Sequence, residues 1–452
     1  MNHFKDLDLP APLLENLHAL GFDTMTPIQK LALPPILAGE DIIAQAPTGS
    51  GKSLAFLLPL ILKLKPNQPQ PQALIITPTR ELAQQLAQRL QALARHQANL
   101  KVLTLYGGTS LTQQVNSLQK GADVLIGTPG RLIDHLSRQT LPLEKIETLI
   151  LDEGDRMLEM GFEEDILKIA SQLPKQRQSL LFSATYPTNI EQLSQKILHQ
   201  PRIITAQPQQ ESLPQIQEIG YTTQNKPKAL LATLQHHCPD KALIFCGTKV
   251  TTQEVASDLE KRGFDVATLH GDLEQYERQE MLLQFANDSR PLMVATDLAA
   301  RGLDIEQIDL IINYDIPNKP QEYTHRIGRT GRAHAHGIAV TLCDEYALKK
   351  LPLIRPNLTL KPIDRLQVNR TFVLQGAMRT LCLDGGKKKK IRAGDILGTL
   401  CQEVGISSQD IGKIDVFDRY AYVAIDKSVI KKAYQGLQRA KIKKRKLRVW
   451  WL

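Results

Sequence analysis

The segment Ala46-Pro47-Thr48-Gly49-Ser50-Gly51-Lys52-Ser53 follows the apolar pair Ile42–Ile43 and leads into a helical pattern from Leu54. Small residues there let backbone N–H groups converge on phosphate oxygens at a helix N-terminus. Lys52 is placed to neutralise β- and γ-phosphate charge, and the Ser53 hydroxyl to ligate Mg²⁺. Ala46 stands where the general phosphate-binding loop has its first glycine. Further on, Leu149-Ile150-Leu151 runs into Asp152-Glu153-Gly154-Asp155, which sets three carboxylates at the end of an apolar strand. Open parallel sheets bind ligands at that edge. Asp152 can hold Mg²⁺ through water, and Glu153 can orient or deprotonate an attacking water. Then His325-Arg326-Ile327-Gly328-Arg329-Thr330-Gly331-Arg332 spaces three arginines with glycines. Planar guanidinium groups suit the charge spread over a transferring phosphoryl group. Together these residues predict a composite phosphoryl-transfer site, with loop and acids in one half of the chain and arginines in the other.

The elements that must carry them are short apolar runs alternating with helix-period segments. Ala73–Thr77, Val124–Gly127, Thr148–Leu151, Ser179–Phe182, Ala242–Phe245, Leu292–Ala295, Leu310–Asn313 and Ile338–Leu342 read as strands. Continuously apolar strands between helices predict parallel sheets covered on both faces. A Pro/Gln-rich stretch, Gln207 to Gln217, divides this region into two similar halves, and a second joint falls near Pro352 to Pro362. From about residue 371 the order becomes β-α-β-β-α-β: Thr380–Leu383, helix Ala393–Glu403, Lys413–Val416, Ala421–Ile425, helix Ser428–Arg439 and Leu447–Trp451. That is a ferredoxin-like order, shared by many RNA-binding modules. The expected boundaries are a first domain over 1–207, a linker over 208–217, a second domain over 218–355, a linker over 356–370 and a third domain over 371–452.

With 42% hydrophobic and 23% charged residues, the 452-residue chain is not wholesale disordered. Its longest strongly apolar stretch, Leu54 to Leu64, is interrupted by Pro59 and too short to cross a bilayer. Lys5, Asp6 and Asp8 argue against a secretory signal. Five cysteines form no CxxC pair, which fits a reducing, cytoplasmic setting. The net charge of +9 is unevenly placed. Residues 371–452 hold 18 Lys+Arg against 7 Asp+Glu, a net of +11, so the rest of the chain carries −2. A polyanion partner for the C-terminal end follows, with nucleic acid ahead of a membrane surface.

Over roughly residues 1–350 these motifs, in this order, resemble a DEAD-box ATP-dependent RNA helicase. The resemblance implies two RecA-like parallel-sheet domains, ATP and Mg²⁺ as cofactors, and local unwinding of short RNA duplexes. Phe4 and the run Gly21 to Gln29 resemble the Q motif (2–30), in which the Gln29 amide would read adenine. Met25 departs from the usual proline. Pro78-Thr79-Arg80-Glu81-Leu82, Gly107-Gly108 and Thr128-Pro129-Gly130-Arg131 resemble the first domain's RNA-contacting motifs, so Thr79, Arg80, Gly108, Thr128 and Arg131 are expected to touch the sugar-phosphate backbone. Ser183-Ala184-Thr185 resembles the motif that couples hydrolysis to unwinding, its hydroxyls reaching Asp155, with His325 in the same role. In the second domain Thr248 and Thr296 fall on RNA-contacting motifs. By the same resemblance Gly302 and Asp304 lie near the ribose, and Arg329 and Arg332 near the phosphates. The family's Asp-Glu-Ala-Asp is Asp152-Glu153-Gly154-Asp155 here. All three acids are kept, and the added backbone freedom puts the Asp155 coupling in question.

The C-terminal segment is similar to the RNA-binding domain of a bacterial branch of this family, on Leu383-Asp384-Gly385-Gly386, Lys387–Lys390, Ile391 to Gly398 and Ile411 to Val416. That resemblance implies a diverged RRM-type α+β domain that recognises a hairpin of 23S rRNA and delivers the core during 50S assembly, in a chain acting as a monomer. Arg419-Tyr420-Ala421-Tyr422-Val423 lacks the glycine of an RNP1 pattern, and Cys382 replaces the aromatic of RNP2. A base-stacking platform is therefore depleted. Lys387, Lys388, Lys389, Lys390, Arg419, Tyr420, Lys443, Lys444 and Arg445 become the expected contacts. The competing readings are a nonenzymatic RNA clamp or assembly scaffold and, among enzymes, a DNA helicase.

Overall fold

The computed structural model describes residues 2–452 except Thr48, Pro66, Asn67, Pro69, His96, Ala98, Pro187, 207–215, 301–307, 332–336 and the Leu298 side chain. The first lobe holds β1 (Ile42–Gln45), β2 (Ala73–Ile76), β3 (Val102–Leu105), β4 (Val124–Gly127), β5 (Thr148–Leu151), β6 (Gln178–Ser183) and β7 (Arg202–Thr205). They form one parallel sheet in the order β3-β4-β2-β5-β6-β1-β7. The period of two along each strand feeds two separate cores. Ala73 and Ile75 enter the cluster on one face with Phe56, while Leu74 and Ile76 enter the other with Leu149 and Leu181. Burial on both faces explains why β2, β4 and β5 read as continuous apolar runs. Because β6 lies between β5 and β1, its end at Ser183 stands between the acidic turn after β5 and the glycine-rich loop after β1.

The second lobe repeats the pattern. β8 (Ile216–Thr222), β9 (Ala242–Cys246), β10 (Val266–Leu269), β11 (Leu292–Thr296), β12 (Leu310–Asn313), β13 (Gly337–Cys343) and β14 (Leu360–Pro362) pair in parallel in the order β10-β11-β9-β12-β13-β8-β14. Two segments expected to be linkers hold structure. β8 begins at Ile216, inside 208–217, where the rest of the stretch lies mostly outside the described residues. The segment 356–370 contains β14, and its Ile363 and Leu366 pack against the second-lobe core. The Pro and polar content of that segment hid an edge strand that needs only three residues.

The C-terminal module is an antiparallel sheet, β16-β17-β15-β18, built from β15 (Met378–Leu383), β16 (Ile411–Val416), β17 (Ala421–Asp426) and β18 (Val449–Trp451). Ile396, Leu400, Ala433 and Leu437 cover one face from two helical segments. The first of these is Ala393–Gly398, continued by a wider turn over Thr399–Glu403, so the helix expected over the whole span changes pitch midway. Gly386 makes the loop after β15 possible: a Cβ there would stand 2.1 Å from the Phe417 carbonyl oxygen. Gly386→Ala is expected to destabilise the module by about 2 kcal/mol or more, since backbone cannot yield as a side chain can. Chemical denaturation followed by tryptophan fluorescence of Trp450 and Trp451 measures this, and an unchanged midpoint would contradict the packing described.

Candidate nucleotide and RNA sites

In the first lobe, β1 delivers the loop residues and the helix Lys52–Lys63 receives them. Gly49 and Gly51 have φ of +84° and +91°, a region that glycine enters without strain. A Cβ at Gly51 would also lie 2.5 Å from Gln29 Nε2. Gln29 sits on the first turn of the helix Pro27–Leu37, where its Oε1 accepts from Thr26 N at 2.8 Å and its Nε2 donates to Gly51 O at 3.0 Å. The Q-motif amide thus holds the loop in place here. Phe4, expected near the nucleotide, is buried in the first-lobe core.

Lys52 is buried and donates from Nζ to Ala46 O at 2.8 Å. Burial pushes its pKa down, against the pull of Asp152, Glu153 and Asp155. Asp152 is 4% exposed, and burial first, then Glu153, raises its pKa to about 7 although Lys52 opposes the shift. Glu153 occupies the left-handed region at φ 54°, ψ 49°, where a non-glycine residue is uncommon, and pairs with Arg156 at 3.5 Å. Asp155 Oδ2 accepts from Thr185 N and Thr185 Oγ1, both at 2.9 Å, and Asp155 N donates to Ser183 Oγ at 3.2 Å. The Asp155–Ser183–Thr185 triangle therefore closes with glycine at 154. Gly154 is not left-handed, and a Cβ there would have as its nearest neighbours Ile190 Cδ1 at 3.3 Å and the Leu181 side chain at 3.6 Å.

The donor set suits a hard divalent cation. One hydroxyl and one carboxylate, the latter short of countercharge, match an ion that keeps several waters and takes phosphate oxygens as its other ligands. Sequence reasoning missed Arg89, on the helix Arg80–Leu93, which donates to Ser53 Oγ at 3.2 Å. Thr48 lies outside the described residues.

On the expected RNA face of the same lobe, Thr79 caps the helix Arg80–Leu93 by accepting from Leu82 N. The Arg80 guanidinium lies so close to Gly108 (φ +81°) that a Cβ there would stand 2.2 Å from Nη1. Thr128 precedes the helix Pro129–Ser137, which carries Arg131. Arg131 Nη1 donates to Thr109 O and to Gln114 Oε1, both at 3.1 Å. The structure therefore brings Arg80 to the glycine turn and Arg131 to its far side, and adds Gln114 and His135, which the sequence did not single out.

In the second lobe, Arg326 is firmly anchored. It is buried, bonds both oxygens of Asp297 at 2.6 Å, reaches Asn313 Oδ1 and Asp315 O, and stacks 5.0 Å from the Phe245 ring centroid. Arg329 is also buried, one turn after His325, which is carried by the helix Pro320–Ile327. Thr248 caps the helix Lys249–Lys261, and Thr296 ends β11. Gly302, Asp304 and Arg332 lie outside the described residues.

In the module, three loops meet at one end of the sheet. Lys387 N and Lys388 N donate to Phe417 O and Asp418 O, and Lys443 Nζ reaches Lys390 O at 2.9 Å and Asp395 at 2.8 Å. Lys390, Lys443 and Lys444 all adopt positive φ. Arg419, Tyr420, Lys444 and Arg445 are exposed at this end, with Tyr420 edge-on to Trp450. The sheet face is covered instead by the second lobe. Tyr422 OH donates to Glu280 at 3.2 Å on the helix Gln275–Ala286, Asn287 Nδ2 donates to Thr380 Oγ1 at 2.9 Å, and Cys382 and Tyr422 bury Leu283. Arg379 pairs with Asp265 at 3.0 Å. Tyr422, within the RNP1-like run, is thus a docking residue.

The chain matches three family models: DEAD/DEAH box helicase over residues 26–193, helicase conserved C-terminal domain over 225–334, and DbpA RNA binding domain over 380–450. It is 43% identical to the ATP-dependent RNA helicase DbpA of Escherichia coli (strain K12), across 99% of both chains. It is 41% identical to the DEAD-box ATP-dependent RNA helicase CshA of Bacillus cereus, across 75% of this chain and 65% of that one. Among solved structures, S. cerevisiae Dbp5 bound to RNA and ADP BeF3 superposes with a TM-score of 0.73 at 29% identity, covering 80% of this chain and 96% of that one. Mss116p bound to ssRNA and AMP-PNP gives 0.69 at 26%, covering 79% and 78%.

The raised pKa of Asp152 has a defined sign. Its favourable contribution to folding is complete below about pH 4 and is lost as pH rises through about 7, because the folded chain then holds an ill-solvated carboxylate. Asp152→Asn, without nucleotide, is expected to be more stable than the parent by a margin that grows by on the order of 2 kcal/mol from pH 5 to pH 8. Thermal melts across that range test this, and a pH-independent difference would refute it. Gly154→Ala is expected to stay within about twofold of parental ATPase and unwinding rates, with unchanged or slightly raised stability. A large loss of unwinding at full ATPase would show that the glycine itself serves coupling.

Proposed function

We propose, because this chain belongs to the DEAD-box ATP-dependent RNA helicases and carries a DbpA-type RNA-binding domain, that it opens short duplexes in 23S rRNA during assembly of the 50S subunit. The single observation that carries this reading is the pairing of two features in one chain. Buried Lys52, Asp152, Glu153 and Asp155 in the first lobe accompany a basic module docked on the second. Lys52 leaves the Ala46 carbonyl for the β- and γ-phosphates, and Glu153 orients the attacking water. Ser53 and Asp152 would hold Mg²⁺, which supplies countercharge to the phosphates when bound. Asp155, through Ser183 and Thr185, ties the acidic turn to the end of β6, so a change at the phosphates reaches the strand ends that carry the RNA motifs. Gln29 and Phe4 belong to the adenine end of the site, Gln29 by exchanging its loop bond for the base. Arg329 and Arg332 supply further phosphate countercharge, and Gly302 and Asp304 contact the ribose.

For the RNA, we assign backbone contacts to Thr79, Arg80, Gly108, Thr128, Arg131, Thr248 and Thr296. Choice of the rRNA hairpin falls to Lys387–Lys390, Arg419, Tyr420, Lys443, Lys444 and Arg445. The loop end of the module supports that choice because its sheet face is occupied and its surplus charge stands at the loops. The chain works as a cytoplasmic monomer.

Glu153→Gln separates this reading from a nonenzymatic clamp. The variant is expected to lose roughly a hundredfold or more in RNA-stimulated turnover, while retaining RNA in the presence of ATP. Steady-state ATPase and filter binding with a 23S rRNA fragment provide the measurement. Parental turnover in the variant, or ATPase indifferent to any RNA, overturns the proposal.

A further inference from the structure

Gln114 is buried on the helix Leu111–Gln119, and every hydrogen-bonding position of its amide is used. Nε2 donates to Tyr106 O at 3.1 Å and to Thr109 Oγ1 at 2.7 Å, the residues on either side of Gly107-Gly108. Oε1 accepts from Arg131 Nη1 at 3.1 Å and from His135 Nε2 at 2.9 Å. The Arg131 group that meets this amide also bonds Thr109 O. One side chain therefore fixes both ends of the glycine turn and the arginine beside it. Arg131 can only donate and the Tyr106 carbonyl can only accept, so Oε1 must point to the arginine and Nε2 to the turn, and the buried His135 then donates from Nε2 to the same oxygen. Burial, reinforced by Arg131, lowers the His135 pKa and keeps the ring neutral, which leaves Nδ1 to accept from Thr140 Oγ1 at 2.9 Å. A shorter Asn could not span these four partners, and a Glu would offer no donor to the Tyr106 carbonyl.

We propose that Gln114 is a positioning residue for RNA: by holding the Gly107–Gly108 turn and Arg131 in one rigid arrangement, it sets the affinity of the first lobe for the RNA backbone. This rests on the reading of Gly108 and Arg131 as RNA contacts. A buried amide that only stabilised the fold would leave RNA affinity alone, so the two roles are separable.

The test uses the full chain and a generic single-stranded RNA, measuring the RNA concentration for half-maximal ATPase stimulation. Gln114→Leu is expected to raise it about tenfold, as loss of one to two net hydrogen bonds in all would. Turnover at saturating RNA and ADP binding without RNA are expected to stay within about twofold of the parent, a split that general unfolding does not produce. In an Arg131→Ala background the same substitution is expected to add less than about twofold, because the two act through one arrangement. Gln114→Glu, which keeps the acceptors for Arg131 and His135, covers the case in which the leucine variant fails to fold. It is expected to raise the RNA requirement about threefold. An unchanged RNA requirement in both variants, or full additivity with Arg131→Ala, overturns the proposal. If Arg131→Ala itself has no effect, the assignment of this face to RNA fails, and the proposal with it.

Discussion

Burying like charges at the carboxyl edge of one parallel sheet is the constraint on which the first lobe depends. Asp152, Glu153 and Asp155 are all buried, and each carboxylate removed from water costs several kcal/mol unless its charge is met. The fold meets them unequally. Asp155 has three hydrogen bonds to β6 and the turn after it, Glu153 has Arg156, and Asp152 has chiefly its neighbour's N–H and the field of Lys52. The least compensated of the three is the one whose pKa rises to about 7. Replacing such a cluster with apolar residues would serve stability as well or better. Its retention makes sense for a nucleotide site, where charge at the sheet edge serves the ligand rather than the fold. The strained Glu153 backbone fits the same account, since a left-handed glutamate persists only where its surroundings over-determine it.

What the sequence revealed follows from how local each signal is. The loop Ala46 to Ser53 and the turn Asp152 to Asp155 are contiguous, and the strands before them are buried on both faces, so type and order alone located them. Strands β3 and β7 stand at the sheet edges with partly exposed residues and gave no continuous apolar run. β10, an edge strand of only four residues, was equally silent. Gln114 and His135 lie 21 residues apart and matter only through each other, a pairing with no spacing signature. The anchoring of Arg326 was not legible for a similar reason. Three arginines in a row of glycines look alike in sequence, yet this one is committed to Asp297, 29 residues away.

The C-terminal module shows the same limit and a compensation for it. Charge arithmetic located a polyanion-binding end without any coordinates, because a surplus of +11 over residues 371–452 needs no contact map. The loss of RNP aromatics was also legible, since Cys382 replaces a ring. What took the place of base stacking was not. Cys382, Tyr422 and Thr380 face a protein helix, and their small or hydrogen-bonding character suits Leu283, Glu280 and Asn287 better than nucleobases. A depleted RRM platform is thus an interface whose partner lies in the same chain.

That interface changes what the module's charge can do. A tethered basic domain would raise the local concentration of RNA around the motor without fixing its direction. Here the helix Gln275–Ala286 carries Arg278 in its first turns, and in its later turns the contacts to Tyr422 and the Cys382 cluster. Arg278 in turn bonds Ala299 O beside Asp297, the anchor of Arg326. A helix of twelve residues spans about 18 Å and transmits orientation along its length. The loop end of the module is therefore held at a set angle to this helix and the residues it carries. A fixed orientation, as well as charge, is what the docked sheet face gives the module.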